Sequence, residues 1–191
     1  MSVFEYLVLA LALGIQLMVI MRSCAEMVPI RLTKGLAVSC LIALVYVAML
    51  NGGFILGNAL QFRSATDAAL YDNVNSLVYL GLMIVVGVKI LAGAVRKKQA
   101  VPAYDISRWG TVVLLAVASG VNVFLSGLAL GFVVSHKPDA VLSSVIIGVI
   151  AFLLCYWAIM LGRQKKMIKE RRWLLIAVLL LLVSAIFRVV G

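Results

Sequence analysis

Six apolar runs, at 3–21, 35–57, 74–95, 109–133, 141–162 and 173–190, take up most of this chain and are separated by short polar joints. Crossing the hydrocarbon core of a bilayer takes about 20 mostly apolar residues as a helix. Each backbone polar group left unpaired in lipid costs several kcal/mol, so a run of this kind must satisfy its own hydrogen bonds. A membrane barrel would alternate apolar and polar residues over segments of roughly ten, and 173–187 does not alternate. The expected fold class is therefore an all-α integral membrane protein with six transmembrane helices. Composition agrees: 65% of residues are hydrophobic and 13% charged, too few charges to coat a soluble domain.

The joints decide the orientation. Thirteen of the seventeen Lys and Arg fall in the first, third and fifth joints: Arg22, Arg31 and Lys34; Arg96, Lys97, Lys98 and Arg108; Arg163, Lys165, Lys166, Lys169, Arg171 and Arg172. The opposite side holds Arg63, Lys137 and Arg188. Cytoplasmic loops carry the basic excess, which predicts both termini outside the cytoplasm. The net charge of +10 sits in short membrane-flanking loops. Anionic lipid headgroups are the partner such loops suit, and no basic groove exists for nucleic acid. The opening MSVFEYLVLALALG has no Lys or Arg before its apolar run, so no removable signal peptide is expected.

Three spans precede the joint at 96–108 and three follow it, dividing the chain into halves 1–95 and 109–191. An odd number of spans per half makes any repeat an inverted one, the plan of many secondary transporters with sites between the halves. Aligning ALALGIQLMVIM with the run around LAVASGVNVFL pairs Leu11 with Leu115, Ala12 with Ala116 and Val19 with Val123.

Few residues in the spans can carry chemistry. All seven carboxylates, Glu5, Glu26, Asp67, Asp72, Asp105, Asp139 and Glu170, lie at span ends or in joints, and the single histidine, His136, is in an outer joint. Cys24, Cys40 and Cys155 are too scattered for a disulfide framework or metal knuckle and read as small apolar residues. No nucleophile–base pair or phosphate loop is present, which argues against an enzyme, and no cofactor is implied. Met18, Met21 and Met27 do not define a soft-metal site. The mid-span polar residues are the candidates. Asn122 is either an interhelical hydrogen-bond residue or a substrate contact, and Gln16 and Asn51 admit the same two readings. Arg22 is expected to snorkel from the end of a first span closing at Met21. Lys89 either snorkels or faces inward to a partner or substrate. Gly53 and Gly57, and Gly81, Gly87 and Gly93, are expected at helix contacts.

Three segments carry a family resemblance. LALGIQLMVIMRS and VASGVNVFLSGLALGF stand where the MntP-type manganese efflux pumps read roughly LAxGMSMDAFAxS and ATSLDAxAVGxGLAF, and LVYLGLMIVVGVKIL follows that family's glycine-rich third span. The chain resembles these small bacterial inner-membrane exporters of the LysE-like group over its whole length. The resemblance implies a multi-pass protein of the bacterial inner membrane that exports a divalent cation from a site between two inverted halves. It places the family's two membrane aspartates on Met18 and Asn122, and a basic or polar residue near Lys89. The candidate substrate-contacting set is thus Asn122, Met18, Gln16, Asn51 and Lys89. Manganese is a hard cation that favours carboxylate, carbonyl and water oxygens, and a thioether with a neutral amide replaces two carboxylates poorly. The readings left open are a divalent-cation exporter, a transporter with a changed substrate, and a membrane protein that packs against a partner without transporting.

Overall fold

The computed structural model describes residues 3–28, 30–61, 68–95, 104–133, 137–164 and 170–190, with side-chain surroundings over 3–28, 30–61, 73–92, 104–133, 141–164 and 172–185. The expectations for His136 and for most of the central joint lie outside them. Each apolar run is a helix: α1 Val3–Met27, α2 Leu32–Leu60, α3 Ala68–Val95, α4 Trp109–Val133, α5 Lys137–Arg163 and α6 Glu170–Val190. There is no strand among the described residues. Five helices are long and apolar enough to cross a membrane, and α6 carries a shorter apolar stretch, Arg172–Ala185. Large apolar side chains such as Leu44, Ile55, Leu77, Leu114 and Leu179 face outward, as lipid contact requires and water would penalise. The chain is a multi-pass membrane protein.

Helix contacts follow the small residues. A Cβ on Gly53 would lie 2.1 Å from the carbonyl oxygen of Phe124, one on Gly57 2.2 Å from that of Leu128, one on Gly127 2.3 Å from that of Leu50, and one on Gly131 2.4 Å from that of Phe54. The backbones of α2 and α4 therefore touch directly along paired small-xxx-small faces, with residue numbers rising together, so the two helices run parallel. Lipid supplies no hydrophobic drive between helices, and close van der Waals packing of this kind has to hold them. The packing expected of Gly53 and Gly57 is present. That expected of Gly81 and Gly87 is not, since a Cβ on either would have no atom within 4 Å. Repetition every six residues does not keep to one face of a 3.6-residue helix.

A second parallel pair forms between α1 and α5. Gly14 lies against Ile150 and Leu154, while Gly162 lies against the Arg22 carbonyl oxygen and Ala25. Further contacts join α2 to α5, α3 and α1 to α6, and α3 to α4, whereas α1 and α4 meet only narrowly. That narrow meeting is where the polar residues are.

Helix α1 also corrects an expectation. It continues six residues beyond Met21, and Arg22 does not snorkel: it is 5% exposed, with Nη2 3.1 Å from Oε2 of Glu26 one turn on. The carboxylate compensates a guanidinium whose burial would otherwise be costly, and the i, i+4 pair favours continued helix. Below this end of α1 lies the turn before α4. Asp105 Oδ1 accepts from the Ser107 backbone N–H at 2.9 Å, Arg108 Nε is 3.6 Å from Asp105 Oδ2, and Ile106 is wholly buried in the core. Lys34 Nζ donates to the Ser107 carbonyl and stands 5.8 Å from the Trp109 ring centroid. Hydrogen bonds from Ser107, then the charges of Arg108 and Lys34, hold the Asp105 carboxyl below its ordinary range.

Candidate functional site

Beyond Thr111 in its first turn, helix α4 is apolar all round except for Ser119, Asn122 and Ser126, which at i, i+3 and i+7 share one face. That face is buried: Ser119 is 6%, Asn122 2% and Ser126 0% exposed. Burying three polar groups in an apolar bundle costs free energy unless each finds a partner. Two partners come from other helices. The Tyr46 hydroxyl of α2 bonds the Ser119 side chain, and Ser119 Oγ donates to the Ala116 carbonyl at 3.2 Å. Asn122 Nδ2 donates to Gln16 Oε1 of α1 at 2.9 Å.

This amide bridge lies at mid-depth. Gln16 and Asn122 are each the fourteenth residue of a 25-residue helix, which at ~1.5 Å per residue is about 37 Å long. It ties together two helices that otherwise scarcely touch. Asn122 Oδ1 and Ser126 Oγ, both fully buried, have no hydrogen-bond partner.

The other sequence candidates are elsewhere. Met18 is 1% exposed and one turn beyond Gly14, hence on the side of α1 turned to α5 and about 160° from Gln16. Asn51 Nδ2 donates to the Val47 carbonyl of its own helix at 2.8 Å. Its residue also lines an open apolar groove of about 570 Å³ between α2 and α5, with Cys40, Val47, Ser144, Gly148 and Phe152. Lys89 is on an exposed face of α3. Of the five candidates only Gln16 and Asn122 are brought together. Sequence reasoning passed over Tyr46 and gave Ser119 and Ser126 no polar role; the i, i+3, i+7 spacing of the three α4 residues was the available signal.

Chemically the arrangement is neutral. Amide and hydroxyl oxygens can accept from a donor or face a cation, but none carries formal charge, and no group of three His, Cys, Asp or Glu residues stands ready for a metal among the described residues. Arg22, two turns from Gln16 toward the C-terminus of α1, is charge-compensated by Glu26.

The family whose model matches this chain is described as "Putative manganese efflux pump" (Mntp), and the match covers residues 29–187. The protein named "Putative manganese efflux pump MntP 2" of Clostridium botulinum (strain Langeland / NCTC 10281 / Type F) is 24% identical over 173 residues, covering 81% of this chain and 83% of that protein. No solved structure matches. The family match takes in Asn122, Ser126 and Tyr46 and begins after α1, so Gln16 stands outside it. The chain belongs to the MntP family of manganese efflux pumps.

Proposed function

We propose that this chain is a cation efflux transporter of the bacterial inner membrane, built as two inverted three-helix halves that meet at the Gln16–Asn122 bridge. The carrying observation is that bridge, at mid-depth, with one amide oxygen uncommitted. Buried polar groups within a membrane bundle are costly and commonly mark a substrate path.

The inverted halves are supported by paired contacts. Gly14 on Ile150 and Leu154 has its counterpart in Gly120 on Val45 and Met49, and Gly162 on Arg22 and Ala25 in Gly57 on Leu128 and Gly131. Shifting α1 by 106 residues onto α4 and α2 by 105 onto α5 carries each set of contacts into the other. Exchanging the halves likewise turns α2–α4 packing into α5–α1 packing, and α1–α6 into α4–α3. In this register Gln16 pairs with Asn122, two residues away from the alignment that pairs Met18 with it. With α6 as a sixth crossing, both termini fall on the outer side.

The test is flux from proteoliposomes loaded in turn with MnCl2, NaCl and KCl. Flux of at least one cation, abolished by Asn122→Ala, is the expected result, and vesicles tight to all three would favour a non-transporting protein instead. A changed substrate within the same scaffold is the second reading. It is favoured by the missing midplane charge, because a dehydrated divalent ion in low dielectric needs compensating carboxylate.

A further inference from the structure

The serines of this bundle differ in how their hydroxyls are used. Ser23, Ser39 and Ser119 turn back onto their own helices, donating to the carbonyls of Val19, Gly35 and Ala116 at 3.2, 2.9 and 3.2 Å. That is the ordinary way for a serine to satisfy itself inside an apolar helix. Ser126 is wholly buried on the bundle-facing side of α4 and makes no such bond. One turn before it, Asn122 Oδ1 is equally buried and equally uncommitted. Its orientation is held from the other side, since Nδ2 is engaged by Gln16.

We propose that Asn122 Oδ1 and Ser126 Oγ are ligand oxygens of a binding site for a dehydrated monovalent alkali cation, an assignment that rests on the transporter reading and narrows its substrate class. Residues at i and i+4 have Cβ atoms about 5–6 Å apart, and an ion at roughly 2.5 Å from each oxygen bridges such a pair. Both groups are oxygens, which hard cations take and soft metals do not favour. Both are neutral, and neutral oxygens together with unwound or free carbonyls are how membrane proteins replace the hydration shell of sodium or potassium. The cost of desolvating an ion grows with the square of its charge, so a divalent ion of the same radius costs about four times as much as a monovalent one. Among the described residues no carboxylate stands at this depth to offset that difference: Glu5 opens α1, Glu26 lies in its last turn, paired to Arg22, and Asp105 lies in the turn before α4. Arg22 does not oppose the ion. The bridge has Ser126 on the side of the α4 C-terminus, and α1 runs antiparallel to α4, which puts Arg22 on the other side, two turns from Gln16.

The experiment uses the detergent-purified full chain and follows thermal unfolding by tryptophan fluorescence. Choline chloride is replaced at constant ionic strength by LiCl, NaCl or KCl, and in a separate series MnCl2 is added. One alkali cation is expected to raise Tm saturably, with MnCl2 giving no comparable shift. Ser126→Ala should weaken the half-saturating concentration about tenfold or more, the equivalent of one lost ligand contact. Ser126→Thr, which keeps a hydroxyl, should retain the response, Asn122→Ala should abolish it, and Ser23→Ala should leave it unchanged. Equal Tm in choline and all three alkali salts overturns the proposal, as does a shift that survives both Asn122→Ala and Ser126→Ala. An Asn122-dependent shift with MnCl2 alone overturns the ion class while leaving the transporter reading intact. That reading falls separately, if no cation moves across the proteoliposomes.

Discussion

Asn122 has one end of its amide fastened to Gln16 and the other facing no partner, so the consequence of changing it is set by charge more than by shape. Asn122→Asp is nearly isosteric and places a formal charge at mid-depth, beside an amide that can donate to it once Gln16 turns over. It should raise Mn2+ affinity by on the order of tenfold or more, one charge-matched contact being worth about 1.4 kcal/mol. In cells lacking their own manganese exporter, the parent chain should give little protection from toxic manganese and Asn122→Asp distinctly more. Full protection by the parent, lost in Asn122→Ala, would show that neutral oxygens suffice for manganese. Met18→Asp is expected to behave otherwise. Met18 is closed off on the α5 side of α1, and a buried carboxylate without a partner costs several kcal/mol, so this variant should lose folded yield without gaining metal binding. The importance of Asn122 was legible in the sequence because an amide in mid-span demands a partner. The identity of that partner was not, because the rotation of α1 about its axis is fixed by the packing of Gly14 and Gly162 between helices far apart in the chain.

Among the elements, the α2–α4 pair depends on backbone contact. Gly127→Ala would put a methyl 2.3 Å from the Leu50 carbonyl oxygen, backbone that cannot move aside without parting the helices. Overpacking of this kind costs about 1–3 kcal/mol, and a drop in Tm in detergent measures it. Gly81→Ala meets nothing within 4 Å and removes a flexible residue from a helix interior, so it should stabilise by about 0.5–1 kcal/mol. Equal effects of the two substitutions would contradict the close approach. The turn before α4 responds to pH. The Asp105 carboxyl is depressed, chiefly by hydrogen bonds from Ser107 and then by Arg108 and Lys34, so the charged form is the one the fold prefers. Its contribution is complete above the unfolded carboxyl's pKa and is lost as pH falls through the lower folded value. In a background with Trp157 and Trp173 replaced by Phe, the emission of Trp109 should change across that acid range and Asp105→Asn should remove the step. The sequence marked where helices run, and α4 has the expected bounds of 109–133. It missed the last six residues of α1 because Arg22 and Glu26 read as a polar joint until their one-turn spacing is seen as an ion pair on a continuing helix.

At the scale of the molecule, the charges and the helix directions must agree on a single orientation. The turn at 104–108 and the start of α2 meet through Lys34, which puts the first and third joints at one end of the bundle. At the other end Gln61 Nε2 donates to the Phe132 carbonyl at 3.0 Å, joining the ends of α2 and α4. The end that gathers Lys34 and Arg108 belongs to the first and third joints, which with the fifth carry thirteen of the seventeen basic residues of the sequence, and that end is expected in the cytoplasm because basic loops resist translocation and meet anionic lipid there. Cysteine substitutions at Lys98 and Lys166, in a background with Cys24, Cys40 and Cys155 replaced, should be shielded from an impermeant thiol reagent in sealed cells and react once the membrane is opened. A cysteine at Arg63, in the sparsely charged second joint, should react in sealed cells. The reverse pattern would turn the whole molecule over, placing the Arg22–Glu26 end outside and the Ser126 side of the amide bridge toward the cytoplasm. Membrane insertion offers no stable intermediate between these two outcomes, since all six helices share the same joints and a mixed result would require one of the apolar runs not to cross.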